Sequence, residues 1–280
     1  MHRHAHLRTL ALLCAWAILL HGLALTADPI KVRYREGLLH GFLVLRTLEG
    51  KTIAHGDLIQ VARGNRVTVE LIFHFDDGSL YEETTVYSQR DVFRLLSDHL
   101  IQQGPSFKES METSVDVAGG RITVSYTDEH GNKRTKIDYL RLPPDLANGL
   151  ILTLLKNLPA GTPEFKVSML VATPKPRLIK LALSTVGEEP FFVAGVKRQS
   201  VHYLAKVEIG GLAGLVAPLL NKQPPDFNFW ILGGEAPAFV KLEGTLSYGG
   251  PVWRIEPAMP TWPREARAGL KNGPEESKEH

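Results

Sequence analysis

The sequence has almost no cysteine: Cys14 is the only one among its 280 residues. This residue lies in an apolar run near the N-terminus, so the rest of the chain has no disulfide, no thiolate nucleophile and no thiolate metal site. A stable fold must therefore come from a hydrophobic core. The 253 residues that follow position 27 suffice for one large β domain or two small ones.

Catalytic motifs are also lacking. The sequence has no Gly-x-Ser-x-Gly elbow and no Ser-x-x-Lys with its partner motifs. The stretch Gly210-Gly211-Leu-Ala-Gly214 lacks the lysine and hydroxyl residue of a phosphate-binding loop. Only folding could assemble a hydrolase site, from His74, His99 or His202 with a serine and a carboxylate.

The chain has little net charge. Its 32 basic and 30 acidic residues leave a formal charge of +2 at pH 7. Residues 1–27 contain two of the basic residues and none of the acidic ones, so the remainder is balanced at 30 of each. Because no single sign dominates, net charge gives no case for nucleic acid or anionic lipid headgroups as partners. We expect no nucleic-acid partner and only transient contact with a membrane.

The N-terminus has the three parts of a secretory signal. Arg3 and Arg8 precede the unbroken apolar run Ala11–Leu20, and small residues follow at Ala24 and Ala27. Ten apolar residues are too few to span a bilayer, which needs roughly 20. We predict that residues 1–27 are a cleavable signal peptide, with cleavage after Ala27 or Ala24, and that the protein is exported to the periplasm or secreted. A retained membrane anchor is the alternative. Lipidation of Cys14 is disfavoured, since apolar sequence continues beyond it.

Alternating apolar residues dominate the rest of the chain. Val67, Val69, Leu71, Phe73 and Phe75 are separated by more polar positions, which predicts a strand with one buried face. Asp76-Asp77-Gly78-Ser79 is typical of a turn into a returning strand. Similar patterns predict further strands over residues 80–87, 121–126, 133–139, 165–171, 177–183, 201–209, 227–232, 239–246 and 252–256. Many strands joined by tight turns indicate a mainly β fold with an antiparallel sheet.

Few segments have helical spacing. Pro143-Pro144-Asp145 predicts a helix start, with leucines four residues apart up to Leu158 and an end at Pro159. A weaker candidate is the segment Gly211–Leu220. The segment Asp91–Gln102 fits a helix or a strand. We expect a single β-sheet domain over residues 28–262 and a disordered polar tail over residues 263–280.

Candidate metal ligands and acid pairs are sparse. His74 and Asp76 would share a face of a strand, as a zinc site requires, but a solvated strand end fits them better. Asp76-Asp77 and Glu82-Glu83 are adjacent in sequence, so each pair would point to opposite faces and make a poor catalytic pair. We assign them to a hydrated rim and a turn. No metal site and no cofactor is expected.

Aromatic residues cluster in one place. The stretch Asn221-Lys-Gln-Pro-Pro-Asp226 leads into Phe227, Phe229 and Trp230. These residues fit a core strand or the aromatic edge of an apolar ligand cavity, because ligand pockets are lined mostly by such side chains. The leucine-rich segment 146–158 can plug such a cavity. The candidate ligand-binding residues are therefore Phe227, Phe229, Trp230, Leu150 and Leu154.

Three stretches carry a resemblance to known proteins: Leu142-Pro-Pro-Asp-Leu-Ala-Asn-Gly149, Gln223-Pro-Pro-Asp-Phe-Asn-Phe-Trp230 and Gly249-Gly-Pro-Val-Trp-Arg-Ile-Glu256. With Asp77-Gly-Ser and Gly104-Pro-Ser-Phe107, they resemble uncharacterised exported bacterial β proteins of the DUF3108 type. More distantly, they resemble the lipoprotein-carrier fold of LolA and LppX. This resemblance implies a strongly curved antiparallel sheet or half-barrel, wrapped around one or two helices, that shelters acyl chains in its concave face.

Three functions are compatible with these features. The first is a non-enzymatic periplasmic protein that binds a lipid or a lipoprotein acyl chain, in envelope maintenance or transport. The second is a structural or interaction module that binds an envelope protein at an edge strand, without a ligand. The third is a hydrolase whose catalytic residues are far apart in sequence and are brought together by folding.

Overall fold

The computed structural model describes residues 29–128, 130–159, 161–171, 173–208 and 224–259. The predicted signal peptide, the candidate helix Gly211–Leu220 and the polar tail lie outside the described residues. The described part forms fourteen strands and a single helix, α1 (Ile151–Lys156). The strands are β1 (Leu39–Arg46), β2 (Thr52–Arg63), β3 (Arg66–Phe75), β4 (Leu80–Gln89), β5 (Phe93–Gln103), β6 (Met111–Asp116), β7 (Arg121–Thr127), β8 (Lys133–Tyr139), β9 (Phe165–Val171), β10 (Arg177–Val193), β11 (Val196–Glu208), β12 (Phe227–Leu232), β13 (Ala238–Thr245) and β14 (Val252–Pro257).

All fourteen strands belong to one curved, open antiparallel sheet. Its order is β8-β7-β6-β5-β4-β3-β2-β1-β14-β13-β12-β11-β10-β9. Consecutive strands are neighbours within each half, and the two halves meet where β1 pairs with β14, as in Leu45 opposite Ile255. The mainly β, antiparallel prediction is confirmed. The two outer strands are β8 and β9, and the chain must pass from one to the other.

Strand alternation places one set of side chains on the concave face. On β3, Val67, Phe73 and Phe75 are buried while His74 between them is exposed. The concave side chains form two hydrophobic clusters. The larger one includes α1 and parts of both sheet halves. The smaller one is aromatic and contains Leu43, Leu45, Ala54, Phe73, Phe75, Tyr81, Phe107, Trp253 and Ile255.

The predicted strands agree with the structure more closely than the predicted helix does. Strands β9 and β12 have the bounds expected from the sequence, and the ambiguous segment Asp91–Gln102 is the strand β5. The helix expected from Asp145 to Leu158 is shorter and covers only Ile151–Lys156. Residues 145–148 instead run beside β9, where Ala147 N donates to Ser168 O. Backbone pairing with an open strand edge competes there with helix formation.

Two segments cross the concave side of the sheet. The strap (residues 29–37) precedes β1 and pairs with the start of β5 through a bridge between Lys31 and Val92. The crossing segment (residues 140–164) leads from β8 to β9 and contains α1. We call the end of the sheet next to the strap the strap end, and the end that holds Phe107 and Trp253 the aromatic end. Among the described residues, no helix is long and apolar enough to cross a membrane.

Candidate functional site

The crossing segment covers the outer edge of β9. Ser168 N donates to Asp145 O, and the Asn148 side chain bonds both backbone groups of Leu170, at 2.8 Å each. Because these bonds occupy the backbone groups of Ser168 and Leu170, another strand could not pair along the whole of this edge of β9. These bonds attach the crossing segment to the sheet at β9.

Inside the sheet, Gly149 brings the crossing segment into close contact with β4. It has φ of +62°, and a Cβ there would clash with the side chain of Thr85. Glycine is the residue that accepts both the left-handed backbone and the short approach. The leucines that follow are consequently held deep in the larger cluster, with Leu150 only 1% and Leu154 7% exposed.

Asn157 ties the strap to the end of α1. Its Oδ1 accepts from Arg33 N at 2.9 Å and Tyr34 N at 2.7 Å, and its Nδ2 donates to Thr153 O. The residue is fully buried. Next to it, Lys156 forms an ion pair with Glu36 of the strap, with both side chains largely buried. The strap and the helix therefore act as one closure of the strap end.

A cleft, which we call the seam cleft, lies along this closure. Its wider part has a volume of about 330 Å³ and is lined by Arg94, Leu95, Val117, Leu142, Pro143, Pro144 and Leu146. A narrow crevice of about 30 Å³ continues between the strap, β5, the crossing segment and β9. The two parts share Arg94, Pro144 and Leu146. The wider part falls at the lower end of the range of small-molecule sites, about 300–1,000 Å³.

The seam cleft is apolar inside and charged at its edge. Arg94 lies along both parts and donates to Pro144 O at 2.6 Å. In the crevice, Lys166 and Asp145 are the other charged residues, and each is already paired, Lys166 with Glu208 and Asp145 with Lys180. The cleft is thus suited to an apolar chain that carries one polar or anionic end.

The structure brings together four of the five candidate ligand-binding residues. Leu150 and Leu154 line the crevice. Phe229 belongs to the same hydrophobic cluster, and Phe227 packs against it, with ring centroids 6.4 Å apart. The two phenylalanines therefore contribute to the core behind the leucines rather than to the seam cleft.

Trp230 lies on the opposite face of the sheet because neighbouring residues of a strand alternate. Its ring stacks on His202 at a centroid distance of 4.3 Å, and Lys241 Nζ lies 3.6 Å from the ring centroid. Trp230 Nε1 donates to Glu189 Oε2 at 2.8 Å, and His202 Nδ1 lies 2.9 Å from the other oxygen of Glu189. The hydrogen bond from Trp230 is the main reason that the pKa of Glu189 is lowered. We call these four residues the outer ladder.

Two acidic side chains, Glu83 and Asp98, lie on the concave face, a placement that was not predicted from the sequence. Thr85 Oγ1 donates to Asp98 Oδ1 at 2.9 Å, and Tyr81 Oη donates to Glu83 Oε2 at 3.0 Å. By strand register, Glu83 and Asp98 are diagonal neighbours on β4 and β5. Burial raises the pKa of both carboxyls, and the charge of Glu83 raises that of Asp98 further. Neither carboxyl forms an ion pair within the described part of the chain.

Glu83 corrects the assignment of Glu82-Glu83 to a hydrated rim, since Glu83 faces inward beside Tyr81. Asp98 was hidden by a β-bulge at Val86/Tyr87. Simple alternation from Phe93 and Leu95 would turn Asp98 outward, but the shift in register turns it inward. The one sequence signal was that Glu83 lies two residues after Tyr81 on β4, which places both side chains on the same face.

The other polar candidates have structural roles. Asp77 accepts hydrogen bonds from Ser106 Oγ and Ser79 N, which lower its pKa and join two turns. His99 pairs with Glu112 on the exposed surface, and His202 belongs to the outer ladder. Both histidines point to the outer face, but their strands β5 and β11 are not neighbours in the sheet. Within the described ranges, no group of three or more histidine, cysteine or acidic side chains is placed to bind a metal.

No family model matches the chain, and no curated protein matches it. Among solved structures, it is similar to the β-barrel-like protein of a domain of unknown function, DUF1849, from Brucella abortus. That similarity has a TM-score of 0.45 and 11% identity, over 80% of this chain and 97% of the other. At this level it carries no inference about activity. Neither the family comparison nor the Brucella abortus structure supports the resemblance to the DUF3108 family or to LolA-type carriers.

Proposed function

We propose that the protein is an exported, non-enzymatic binder of an amphiphilic lipid, and that the seam cleft holds an acyl chain of that lipid. The observation that carries the proposal is the cleft itself, with a mainly apolar lining and Arg94 in contact with both of its parts. An acyl chain in the cleft would remove apolar surface from water, at about 25 cal/mol per Å². The guanidinium of Arg94 would bind an anionic end group. Export itself rests on the predicted signal peptide.

The first test is native mass spectrometry of protein recovered from the periplasm of an expression host, followed by solvent extraction. A co-purifying mass of several hundred daltons that extracts as lipid supports the proposal. A clean apo mass that does not change after incubation with lipids contradicts it.

Affinity for a fluorescent fatty acid, cis-parinaric acid, then locates the site. Val117 is half-buried at the wider part of the cleft, so Val117→Trp fills that space without overpacking the core. We expect the affinity to fall at least about tenfold. The matched control is Val252→Trp, which enlarges a half-buried valine on β14 outside the cleft.

The charge at the cleft has its own control pair. Arg94→Glu should weaken the binding of the fatty acid by about tenfold or more, because the new carboxylate repels the fatty-acid carboxylate where the guanidinium would bind it. Arg63→Glu reverses an exposed charge at the end of β2 and should change the affinity less than twofold. Equal effects of the two substitutions would place the fatty acid elsewhere.

A second candidate function is an interaction module that pairs at an edge strand. The observation in its favour is that β8 is exposed on both faces, with Ile137 and Tyr139 at 49% and 72% exposure. However, Lys133, Arg134 and Lys136 also lie on β8, and positive charge on an edge strand opposes pairing. If the mass spectrum shows no lipid, crosslinking in intact cells through β8 is the next experiment.

A further inference from the structure

The hairpin of β10 and β11 extends beyond its neighbours in the sheet. These two strands pair with each other as far as Val193 and Val196. On one side β9 pairs only as far as Leu183, and on the other β12 pairs only from Ser200. Residues 186–199 therefore form an arm, in which residues 186–189 are the base and residues 190–199 pair only with each other.

The tip of the arm is apolar and exposed. Phe192, Val193 and Val196 are 68%, 49% and 50% exposed. They flank the two-residue turn Ala194-Gly195, in which both residues have positive φ, 49° and 80°. Such a turn is tight and follows the twist of the strands, so it holds the apolar side chains at the extreme end of the arm.

Charges along the arm are segregated. The outer part, residues 190–199, contains Lys197 and Arg198 and no acidic residue. Lys197 lies opposite Phe192 in the register, directly behind the tip. The two acidic residues, Glu188 and Glu189, lie nearer the body of the sheet. An apolar end followed by cations is the pattern of segments that enter the interface of an anionic bilayer.

The base of the arm is fixed to the sheet by the outer ladder. Glu189 on β10 holds Trp230 of β12 and His202 of β11, and Lys241 of β13 lies over the Trp230 ring. Contacts across four strands leave the arm little freedom to fold back on the body.

We propose that the tip of this arm docks on an anionic lipid bilayer, with Phe192, Val193 and Val196 in the headgroup region and Lys197 and Arg198 on the lipid phosphates. The net charge of the protein gives no sign of such a surface, because the cations are balanced elsewhere in the chain. The proposal does not depend on a ligand in the seam cleft.

The arm and the crevice lie at the same end of the sheet. Phe165 lines the crevice and pairs with the region of β10 at Leu183, three residues before the arm begins at Val186. A protein docked by the tip would therefore have its cleft on the membrane side.

The test uses an environment-sensitive bimane dye at single cysteines, in protein recovered from the periplasm and carrying Cys14→Ser. The tip probe is at Val196→Cys. The control probe is at Tyr248→Cys, which is 69% exposed in the turn between β13 and β14, at the aromatic end. Vesicles of phosphatidylcholine with one quarter phosphatidylglycerol should shift the emission of the tip probe to the blue and leave the control unchanged. Vesicles of phosphatidylcholine alone should produce a much smaller shift.

Charge and apolar variants separate the two parts of the tip. Lys197→Glu with Arg198→Glu should weaken binding to the anionic vesicles by about tenfold or more, since each cation near the surface adds to the attraction. Phe192→Ser with Val193→Ser should abolish the blue shift. Lys51→Glu with Lys108→Glu, two exposed lysines at the aromatic end, should change binding less than twofold.

Three results would overturn the proposal. The first is an equal shift of both probes, which would mean that the protein adsorbs without a preferred side. The second is binding that Lys197→Glu with Arg198→Glu leaves unchanged. The third is a concentration-dependent shift of the tip probe without vesicles, which would identify the tip as a contact between copies of this chain.

Discussion

The two ends of the sheet are closed in different ways. At the aromatic end, side chains of the sheet and its turns fill the space, and Phe107 and Phe75 both pack on Trp253 at centroid distances of 6.3 and 5.4 Å. At the strap end, two separate chain segments are laid across the sheet and joined through the buried Asn157. The first closure is continuous apolar packing, whereas the second leaves a cleft between segments. We infer that the aromatic end serves stability and that the strap end serves binding.

The largest stability effect is expected at the aromatic end. Trp253→Ala removes a side chain that is 6% exposed and contacts two aromatic rings. It should lower the free energy of unfolding by about 3–5 kcal/mol, because it leaves a cavity beside Phe75 and Phe107. Urea denaturation monitored by circular dichroism measures the loss. A loss below about 1 kcal/mol would show that this end is loosely packed.

A smaller but specific effect is expected at the strap end. Asn157→Ala leaves the backbone N–H groups of Arg33 and Tyr34 without their acceptor. An unsatisfied buried group costs about 1–3 kcal/mol, and because these two N–H groups are only partly buried we expect a total loss in the lower part of the summed range, about 2–4 kcal/mol. Hydrogen exchange should accelerate in the strap and α1 and stay unchanged at Phe75 and Trp253. Faster exchange throughout the sheet would show that the two ends are not independent.

The smallest effect lies between the two ends, where Asp98 is a diagonal neighbour of Glu83. Burial raises the pKa of Asp98 well above its usual range, so folding opposes its ionisation. This contribution is neutral below the unfolded pKa of about 3.9 and increasingly destabilising as the pH rises from there towards the raised folded value. Asp98→Asn keeps an acceptor for Thr85 and should raise the melting temperature at pH 7.

The pH dependence is the control for this prediction. The melting temperatures of Asp98→Asn and the parent chain should converge below about pH 3, where the parent carboxyl is protonated in both states. An exposed substitution, Asp91→Asn, should show no such convergence. A lower melting temperature for Asp98→Asn at pH 7 would mean that the ionised carboxylate is stabilising.

The regularity of the alternation explains which strands were predictable from the sequence. Strand β3 alternates regularly from Val67 to Phe75, and one buried face is enough to predict it. Strands β1, β2 and β6 were not predicted, because short or mixed patterns obscure the period, as where Thr113 faces inward. The helix was overestimated because leucine spacing cannot reveal that residues 145–148 pair with an open edge.

The candidate site was only partly predictable. Leu150 and Leu154 were identified from their spacing, and they do line the crevice. Arg94 and Val117 were not, because they are distant in sequence from the crossing segment and only the curvature of the sheet brings them beside it. The grouping of Trp230 with Phe227 and Phe229 ignored alternation, which sends Trp230 to the outer ladder.

The most direct test of the division between the two ends is the affinity for cis-parinaric acid of the Asn157→Ala and Trp253→Ala chains, measured at a temperature where circular dichroism shows both to be folded. We predict that Asn157→Ala weakens binding at least about tenfold, since the strap and α1 carry residues of the crevice, and that Trp253→Ala, although less stable, binds as the parent chain does. Equal loss in both variants, or a loss confined to Trp253→Ala, would contradict the assignment of binding to the strap end.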